Sequence, residues 1–227
     1  MKKVFKADQE YLDNMKSYTM KDTCFALIYF FFVMAALYVM GRIQTFSGKY
    51  YGEILAVISI FLVLLLARFK FTKIGISRRG LIPGVVTGLV MGMIFILIYT
   101  IIPGIRAGSE LLPAKEIAYN IFYYFIIIAF EEEISFRGFI TPRLYPLFKN
   151  EWITLLAGGI LFALMHYPYQ MAARNMNVIE YFPIFISSVP ILFLWHYVCS
   201  WLYRRFGNVW GSTVIHGFID MSMGIFG

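Results

Sequence analysis

Residues 117–138 read IAYNIFYYFIIIAFEEEISFRG, an apolar run that ends in three consecutive glutamates and an arginine. A helix of this kind is long enough for a bilayer, because crossing ~30 Å of hydrocarbon takes ~20 mostly apolar residues. An ionised side chain in hydrocarbon costs at least ~2.5 kcal/mol on the insertion scale, so such groups normally face a protein interior or a wet cavity. The stretch therefore predicts a membrane-spanning helix whose acidic groups serve a function.

The rest of the chain has the composition of a membrane protein. Of its 227 residues, 60% are hydrophobic and only 15% are charged, and the mean hydropathy is +0.71. A soluble domain carries about a quarter of its residues as charged ones. We predict an all-α, polytopic membrane helical bundle of about seven transmembrane helices with a buried polar cavity. The predicted spans lie near 24–40, 52–67, 82–103, 117–136, 152–166, 183–203 and 209–225. Several are short, so their helices must extend into the flanks.

These spans divide the chain into three parts. Residues 1–23 are polar and predict a cytoplasmic N-terminal segment. They do not resemble a cleavable signal peptide, because the first apolar run comes too late. Residues 24–103 contain three N-terminal transmembrane spans, and residues 104–227 form the core that carries the acidic motif.

Two further patterns predict local structure. Gly84, Gly88 and Gly92 recur at four-residue spacing in the third span, a pattern that lets helices approach closely. Residues 167–182 are polar and predict the longest link in the later part of the chain, with a re-entrant or interfacial segment as an alternative.

The net charge of +7 reflects topology rather than nucleic-acid binding. The twenty Lys and Arg residues divide unequally between alternate loops, fifteen against five. Because basic residues concentrate in cytoplasmic loops, the asymmetry predicts a multi-pass protein of the cell membrane with a cytoplasmic N-terminus. Some attraction to anionic lipid is also expected.

The core carries three short motifs in order, Glu132-Glu133-x-x-x-Arg137, Phe162-x-x-x-His166 and His216-x-x-x-Asp220. The spacing of Glu133 and Arg137 puts them on one helical face, within reach of a salt bridge. Successive helical positions differ by ~100°, so the three consecutive glutamates cannot all face one partner.

Glu132 and His166 are expected at the same depth in the membrane, which indicates that the first two motifs lie side by side. If the chain turns near Lys149, Glu132 lies 17 residues before the turn and His166 lies 17 residues after it. In an antiparallel helical hairpin both side chains then lie ~25 Å from the turn, at ~1.5 Å per residue. This requires the helix to continue through Pro142 and Pro146.

These residue types predict hydrolysis by an activated water. A Glu and a His can share a water and remove its proton, so Glu132 and His166 are candidates. His216, though shallower by the same measure, can donate to an oxyanion. No Ser or Cys has a recognisable nucleophile setting, and we interpret Cys24 and Cys199 as buried free thiols.

The order of the motifs resembles that of the CPBP family, the CAAX-protease and bacteriocin-processing group of intramembrane proteases, also called the Abi family. Phe136-Arg137-Gly138 is similar to the end of the family's first motif. Residues 201–216 are similar to its WLYxRxGxxWxxxxxH stretch. The resemblance covers roughly residues 117–225.

The resemblance implies catalytic roles by position. Glu132 matches the glutamate that activates water, assisted by the residue at His166. Glu133 and Arg137 match the pair that positions this glutamate.

His216 and Asp220 match the pair proposed to hold the oxyanion. The position of Asp220 is often Asn in the family, and an ionised Asp cannot donate a hydrogen bond. Asp220 must then be protonated, orient His216, or bind a cation. The family has no established metal requirement, so no cofactor is expected; a metal at Glu132, His166, His216 and Asp220 is the alternative.

His196 stands in a region where the family usually has small residues. A packed or interfacial histidine is one reading of this departure, and a fourth polar group in the cavity is the other.

Taken together, the sequence predicts an intramembrane endopeptidase that cleaves a membrane-associated peptide or protein. The alternatives are a non-enzymatic bacteriocin-immunity or scaffold protein of the same fold, and a transporter with a buried proton relay. The expected partners are the substrate and the lipid bilayer, with no nucleic acid. The sequence leaves open the substrate, recognition of a prenyl group and the oligomeric state.

Overall fold

The computed structural model describes residues 6–227, and all regular structure in this range is helical. In chain order the helices are α1 Gln9–Lys16, α2 Met20–Ser47, α3 Gly52–Leu66, α4 Leu81–Ala107, α5 over 114–143, α6 Tyr145–Phe148, α7 Glu151–Ala173, α8 Val178–Phe206 and α9 Trp210–Met221. A short 3-10 turn, Phe71–Ile74, lies between α3 and α4. The predicted all-α fold is confirmed.

Four of the described helices, α2, α4, α7 and α8, are long and apolar enough to cross a membrane. Helix α3 is apolar but shorter, with 15 residues. Helix α9 has 12 residues, too few to cross ~30 Å of hydrocarbon alone. It ends before the predicted span 209–225 does, because the chain turns at Gly224, whose N–H donates to the Met221 carbonyl at 2.9 Å. The count of seven transmembrane helices stays a prediction.

The N-terminal segment is folded against the end of α8. Lys2 and Lys3, which contribute to the predicted charge asymmetry, lie outside the described residues. The Asp8 N–H donates to the Arg204 carbonyl at 2.7 Å, and the rings of Tyr11 and Tyr203 meet edge to face at 5.6 Å. This contact brings the start of the chain and the end of α8 to the same end of the bundle.

Helix α5 continues through Pro142, as predicted, but the predicted continuation through Pro146 is wrong, because the helix ends at Arg143 and Pro146 lies in the separate short helix α6. Pro142 has no N–H to donate one turn back, so the Gly138 carbonyl needs another partner. The Arg143 guanidinium supplies it, donating to the carbonyls of Gly138 at 3.1 Å and Phe139 at 2.9 Å. The turn falls at Lys149, which has a left-handed φ of 51°.

Two stretches of α5, Tyr123–Ala129 and Glu133–Ile140, are wound as wider π-helical turns. Every residue of Glu133–Ile140 is buried. Within it, Phe136 packs edge-on against Phe30 of α2, with ring centres 6.4 Å apart, and against Phe162 of α7 at 5.2 Å. The acidic motif therefore lies at the centre of the bundle.

The predicted long link over 167–182 is wrong. Helix α7 continues to Ala173 and α8 begins at Val178, which leaves only four residues between them. The polar residues here form a helix start: Asn177 Oδ1 accepts from the N–H of Glu180 at 3.0 Å, and the Glu180 carboxylate accepts from the N–H of Asn177 at 2.9 Å. Such a reciprocal cap satisfies orphan N–H groups and starts a helix where polarity alone predicts a loop.

The glycine stripe of α4 packs against α9, which confirms its predicted role in close helix packing. A Cβ at Gly88 would lie 2.4 Å from the Gly211 carbonyl oxygen, and one at Gly92 would lie 2.2 Å from the Phe218 ring. At Gly84 the nearest atom would be 3.4 Å away, which is ordinary contact. Small residues thus let the backbones of α4 and α9 touch.

We therefore expect Gly88→Ala to destabilise the protein by about 1–3 kcal/mol, the usual range for overpacking. Gly84→Ala is the matched control on the same helix face and should leave the melting temperature nearly unchanged. Thermal unfolding of both variants in one detergent measures this difference. Equal melting temperatures would contradict the close α4–α9 contact.

Candidate active site

His216 is the hub of a buried polar cluster. Its Nδ1 lies 2.8 Å from Glu133 Oε1, and since a carboxylate only accepts, Nδ1 donates. Its Nε2 faces Asp220 Oδ2 at 3.5 Å and Glu132 Oε2 at 3.7 Å. Three carboxylates from two helices therefore surround one imidazole.

The geometry of α5 explains how neighbouring glutamates reach both edges of one ring. Successive positions point ~100° apart, so Glu132 and Glu133 straddle the imidazole of His216. Glu132 Oε2 and His216 Nε2 lie 3.7 Å apart, so the prediction that His216 is shallower than Glu132 is wrong. Counting residues from each turn assumes straight, parallel α-helices, whereas α5 is π-helical over Glu133–Ile140 and ends at residue 143.

Glu133 and Arg137 form the predicted ion pair, which is confirmed. Arg137 Nη1 lies 3.0 Å from Glu133 Oε1, and the two side chains are 1% and 0% exposed. The guanidinium also lies over the Phe162 ring, 4.4 Å from its centre. Because His216 bonds to the same Glu133 oxygen, the pair holds His216 directly.

His166 joins the cluster through Phe162 rather than by a direct contact with Glu132. Its ring lies 4.9 Å from the Phe162 ring, which is in turn 6.4 Å from the His216 ring. Within the described chain, no ion pair under 4.0 Å links His166 to a carboxylate. His166 Nδ1 lies 2.9 Å from the Phe162 carbonyl oxygen and donates to it, so Nε2 is the nitrogen left for other partners.

The core motifs coincide with a known family. Residues 114–222 match the family model described as Type II CAAX prenyl endopeptidase Rce1-like. Over these residues the chain is similar to the Rce1-like family. No curated protein and no solved structure matches the chain.

The Rce1-like segment runs from α5 to α9 and contains all six predicted site residues. The resemblance inferred from the motifs, over roughly 117–225, is thereby confirmed. Together with the apolar helices, the family indicates a multi-pass membrane protein and suggests a CAAX-type protease. The buried polar cavity stays a prediction, since the structure shows a buried polar cluster at this place.

Glu131 belongs to a different polar network, which sequence reasoning missed. Its carboxylate accepts from the hydroxyls of Ser59 and Ser135, the latter at 2.7 Å. The Tyr29 hydroxyl contacts both serines, at 2.6 Å from Ser135. Glu131 therefore faces α2 and α3, which confirms that the three glutamates do not share one partner. The single serines and tyrosine in apolar runs gave only a weak signal of this network.

His196 is a packed histidine of α8. It is fully buried, with Nε2 3.1 Å from the Leu155 carbonyl oxygen and 3.3 Å from the Ser200 hydroxyl. Its ring lies 5.7 Å from the ring of Phe162, which also contacts Arg137 and His216. An interfacial position is ruled out by its burial.

The two cysteines differ from each other. Cys199 is buried, as predicted, whereas Cys24 is exposed, which corrects the expectation that both thiols are buried. Cys24 lies on the outward side of α2. Its neighbour Thr23 faces the bundle interior, where its hydroxyl donates to the Arg143 carbonyl at 2.6 Å. Periodicity in an almost uniformly apolar helix does not reveal which side faces outward.

The possible metal ligands form a different set from the predicted quartet. Glu132, His216 and Asp220 do gather, but His166 stands apart from them. The closest trio of ligand atoms comes from Glu133, Cys199 and His216, within 4.8 Å of one another. This trio fits a metal poorly, because the Arg137 cation already lies 3.0 Å from the Glu133 oxygen and would repel a second cation.

Removing Arg137 should strongly destabilise the protein. In Arg137→Met the Glu133 carboxylate loses its buried counter-charge, and breaking such a pair costs about 3–5 kcal/mol. The double variant Glu133→Gln/Arg137→Met removes the orphaned charge while its amide oxygen still accepts from His216. Thermal unfolding in detergent should show the double variant to be more stable than Arg137→Met. A double variant that is equally unstable would refute the charge argument.

Proposed function

We propose that this chain is an intramembrane endopeptidase that hydrolyses a peptide bond of a membrane-associated peptide or protein. The attacking water would be activated by Glu132 together with His166. The observation that carries the proposal is the pair of unmatched carboxylate oxygens at His216. Among the described side chains, Glu132 Oε2 and Asp220 Oδ2 are both buried and have no hydrogen-bond partner. The same is true of Glu133 Oε2, and of these three oxygens the first two face the free side of the His216 ring.

Unpaired buried oxygens of this kind point to a bound reactant. Buried polar atoms in native proteins nearly always have a partner, from the protein or from water. Both oxygens face His216 Nε2 at 3.5–3.7 Å, beyond the range of a good hydrogen bond. A water or a substrate oxygen bound between these groups would satisfy them, and Glu132 would then be in reach of its proton.

His166 contributes the second polar contact to that water. Because Nδ1 donates to the Phe162 carbonyl, a neutral His166 presents Nε2 as an acceptor. The His166 ring packs against Phe162, which itself contacts Arg137 and His216. Glu132 and His166 would thus orient one water from two helices, α5 and α7.

His216 would stabilise the oxyanion that forms when water attacks the carbonyl. Its Nδ1 is held by Glu133, so a proton on Nε2 points between Asp220 and Glu132. Once Glu132 has taken the proton of the water it is neutral, and the developing oxyanion meets the imidazole donor with one fewer charge beside it. Asp220 would orient His216, which is the role an ionised carboxylate can fill.

This mechanism needs no metal, and we propose that the chain uses none. The imidazole supplies the donor that a Lewis acid would otherwise provide. We further propose that the N-terminus is cytoplasmic in the cell membrane, on the basis of the uneven distribution of Lys and Arg. The substrate would then enter from the membrane plane or from the cytoplasmic side.

Replacing Glu132 or His166 should abolish processing of the substrate. We expect Glu132→Gln and His166→Ala to lower cleavage by roughly 10²–10⁴-fold, the usual contribution of general base catalysis. Peptidomics of cells that carry the wild-type or variant chain measures this loss and identifies the substrate. A purified assay with matched farnesylated and unmodified peptides then tests recognition of the prenyl group.

Glu131→Gln is the matched control, because Glu131 bonds to serines on the other side of α5. It should retain cleavage, with protein levels equal in all variants. Normal processing by Glu132→Gln would contradict the mechanism. An immunity phenotype that survives this variant would indicate a binding protein, and pH-dependent flux without cleavage would indicate a transporter.

A further inference from the structure

A second polar site lies at the end of the bundle where α2 begins and α3 ends. It is a cleft of about 330 Å³, formed by residues 17–25, residues 66–73 and Arg143 at the end of α5. Five basic side chains line it, Lys21, Arg68, Lys70, Lys73 and Arg143. Arg143 lies eleven residues beyond Glu132 on α5, roughly 16 Å along a helix, so the cleft is separate from the active site.

In the part of the chain that the structure describes, these five cations form no direct ion pair with a carboxylate. Among residues 6–227, none of them lies within 4.0 Å of a carboxylate oxygen. The cleft contains one acid, Asp22, whose carboxylate caps α2 by accepting from the Thr19 N–H and hydroxyl at 2.8 and 2.7 Å. The topology of a membrane protein explains why a loop is basic, but it does not explain why five cations converge around one cleft.

Arg143 makes the cleft a preorganised site. The residue is only 4% exposed, and its guanidinium lies 4.4 Å from the Tyr18 ring centre and 4.0 Å from the Phe139 ring centre. Two α5 carbonyls fix it further. Asp22, which also lines the cleft, offsets the Arg143 charge only through space, and an anion bound in the cleft would add a further counter-charge.

The walls of the cleft indicate which anion fits. Phe25 and Leu66 line it together with the basic groups, and both belong to apolar helices of the bundle. Next to Lys70, the side chains of Phe69 and Phe71 are about half exposed, at 50% and 48%. A cationic pocket with apolar walls at the end of membrane helices matches a phosphate group attached to acyl chains.

We propose that this cleft binds the phosphate group of an anionic membrane lipid. Arg143, Lys70 and Arg68 contact the phosphate oxygens, and Phe25 and Leu66 contact the first carbons of the acyl chains. The shared chemistry is phosphate: a free phosphate ion would use the same basic groups without the apolar contacts. The proposal does not depend on the proteolytic function.

Titration of the full-length protein in a neutral detergent tests the site, with dihexanoyl phosphatidic acid as the probe. Dihexanoyl phosphatidylcholine and inorganic phosphate serve as the comparison ligands. We expect phosphatidic acid to bind saturably, and its affinity to fall about tenfold or more in Arg68→Gln/Lys70→Gln, because both basic groups attract the anionic headgroup. The matched control Arg78→Gln/Lys149→Gln removes two exposed charges outside the cleft and should leave the affinity unchanged.

The comparison ligands separate the sources of phosphate. Weak binding of inorganic phosphate and no binding of phosphatidylcholine support a lipid site. Inorganic phosphate that binds as tightly as phosphatidic acid, and loses affinity in the same variant, overturns the lipid assignment in favour of a soluble anion. Equal losses in both double variants, or binding of a hexaglutamate peptide but not of either phosphate, overturn the phosphate site altogether.

Discussion

The buried ion pair between Glu133 and Arg137 is the interaction on which the rest of the site depends. Three carboxylates that face one imidazole in a low-dielectric interior would repel one another strongly. Arg137 neutralises the most buried of them, and Glu133 can then hold His216 Nδ1 at 2.8 Å. The other side of the ring is thereby aimed at Glu132 and Asp220. Because Arg137 also stacks on Phe162, the same pair aligns α5, α7 and α9.

The backbone makes this arrangement possible through two close approaches. On one side of α9, a Cβ at Gly211 would lie 2.7 Å from the Gly84 carbonyl oxygen of α4. On another side, a Cβ at Gly217 would lie 2.5 Å from the Phe125 ring of α5. A 12-residue helix too short to cross a bilayer is thus held between two longer ones. Its histidine reaches the bundle centre because glycines let all three helices come together.

Much of this was predictable from the sequence, since it follows from periodicity and length. The helical fold, the Glu133–Arg137 pair and the hairpin turn at Lys149 each rest on regular geometry along one helix or one turn. The short link after Ala173 was not predicted, because a reciprocal cap at Asn177 and Glu180 looks like a polar loop. Polar residues at a helix start can bond to free backbone N–H groups instead of facing solvent, so a polar stretch does not always indicate a loop.

The remaining failures concern contacts between helices that are distant in sequence. Residue counts from the nearest turns placed His216 shallower than Glu132, yet the two side chains meet, because such a count does not show how helices from different hairpins shift against each other. The partners of Glu131 come from α2 and α3, and neither serine nor tyrosine stands out in an apolar run. The basic cleft was not predicted either. It forms because Arg143 at the end of α5 lies beside Lys21 and Lys70, whereas the sequence showed only a basic loop.

The central claim is that Glu132 activates a water that attacks the substrate directly. A single-turnover cleavage in ¹⁸O-labelled water tests it, with mass spectrometry of both the new C-terminus and the enzyme peptide that contains Glu132. Direct attack puts one labelled oxygen into the product carboxylate of the first turnover and leaves Glu132 unlabelled. Label in the Glu132 carboxylate, with an unlabelled first product, would show a covalent acyl-enzyme and contradict the account.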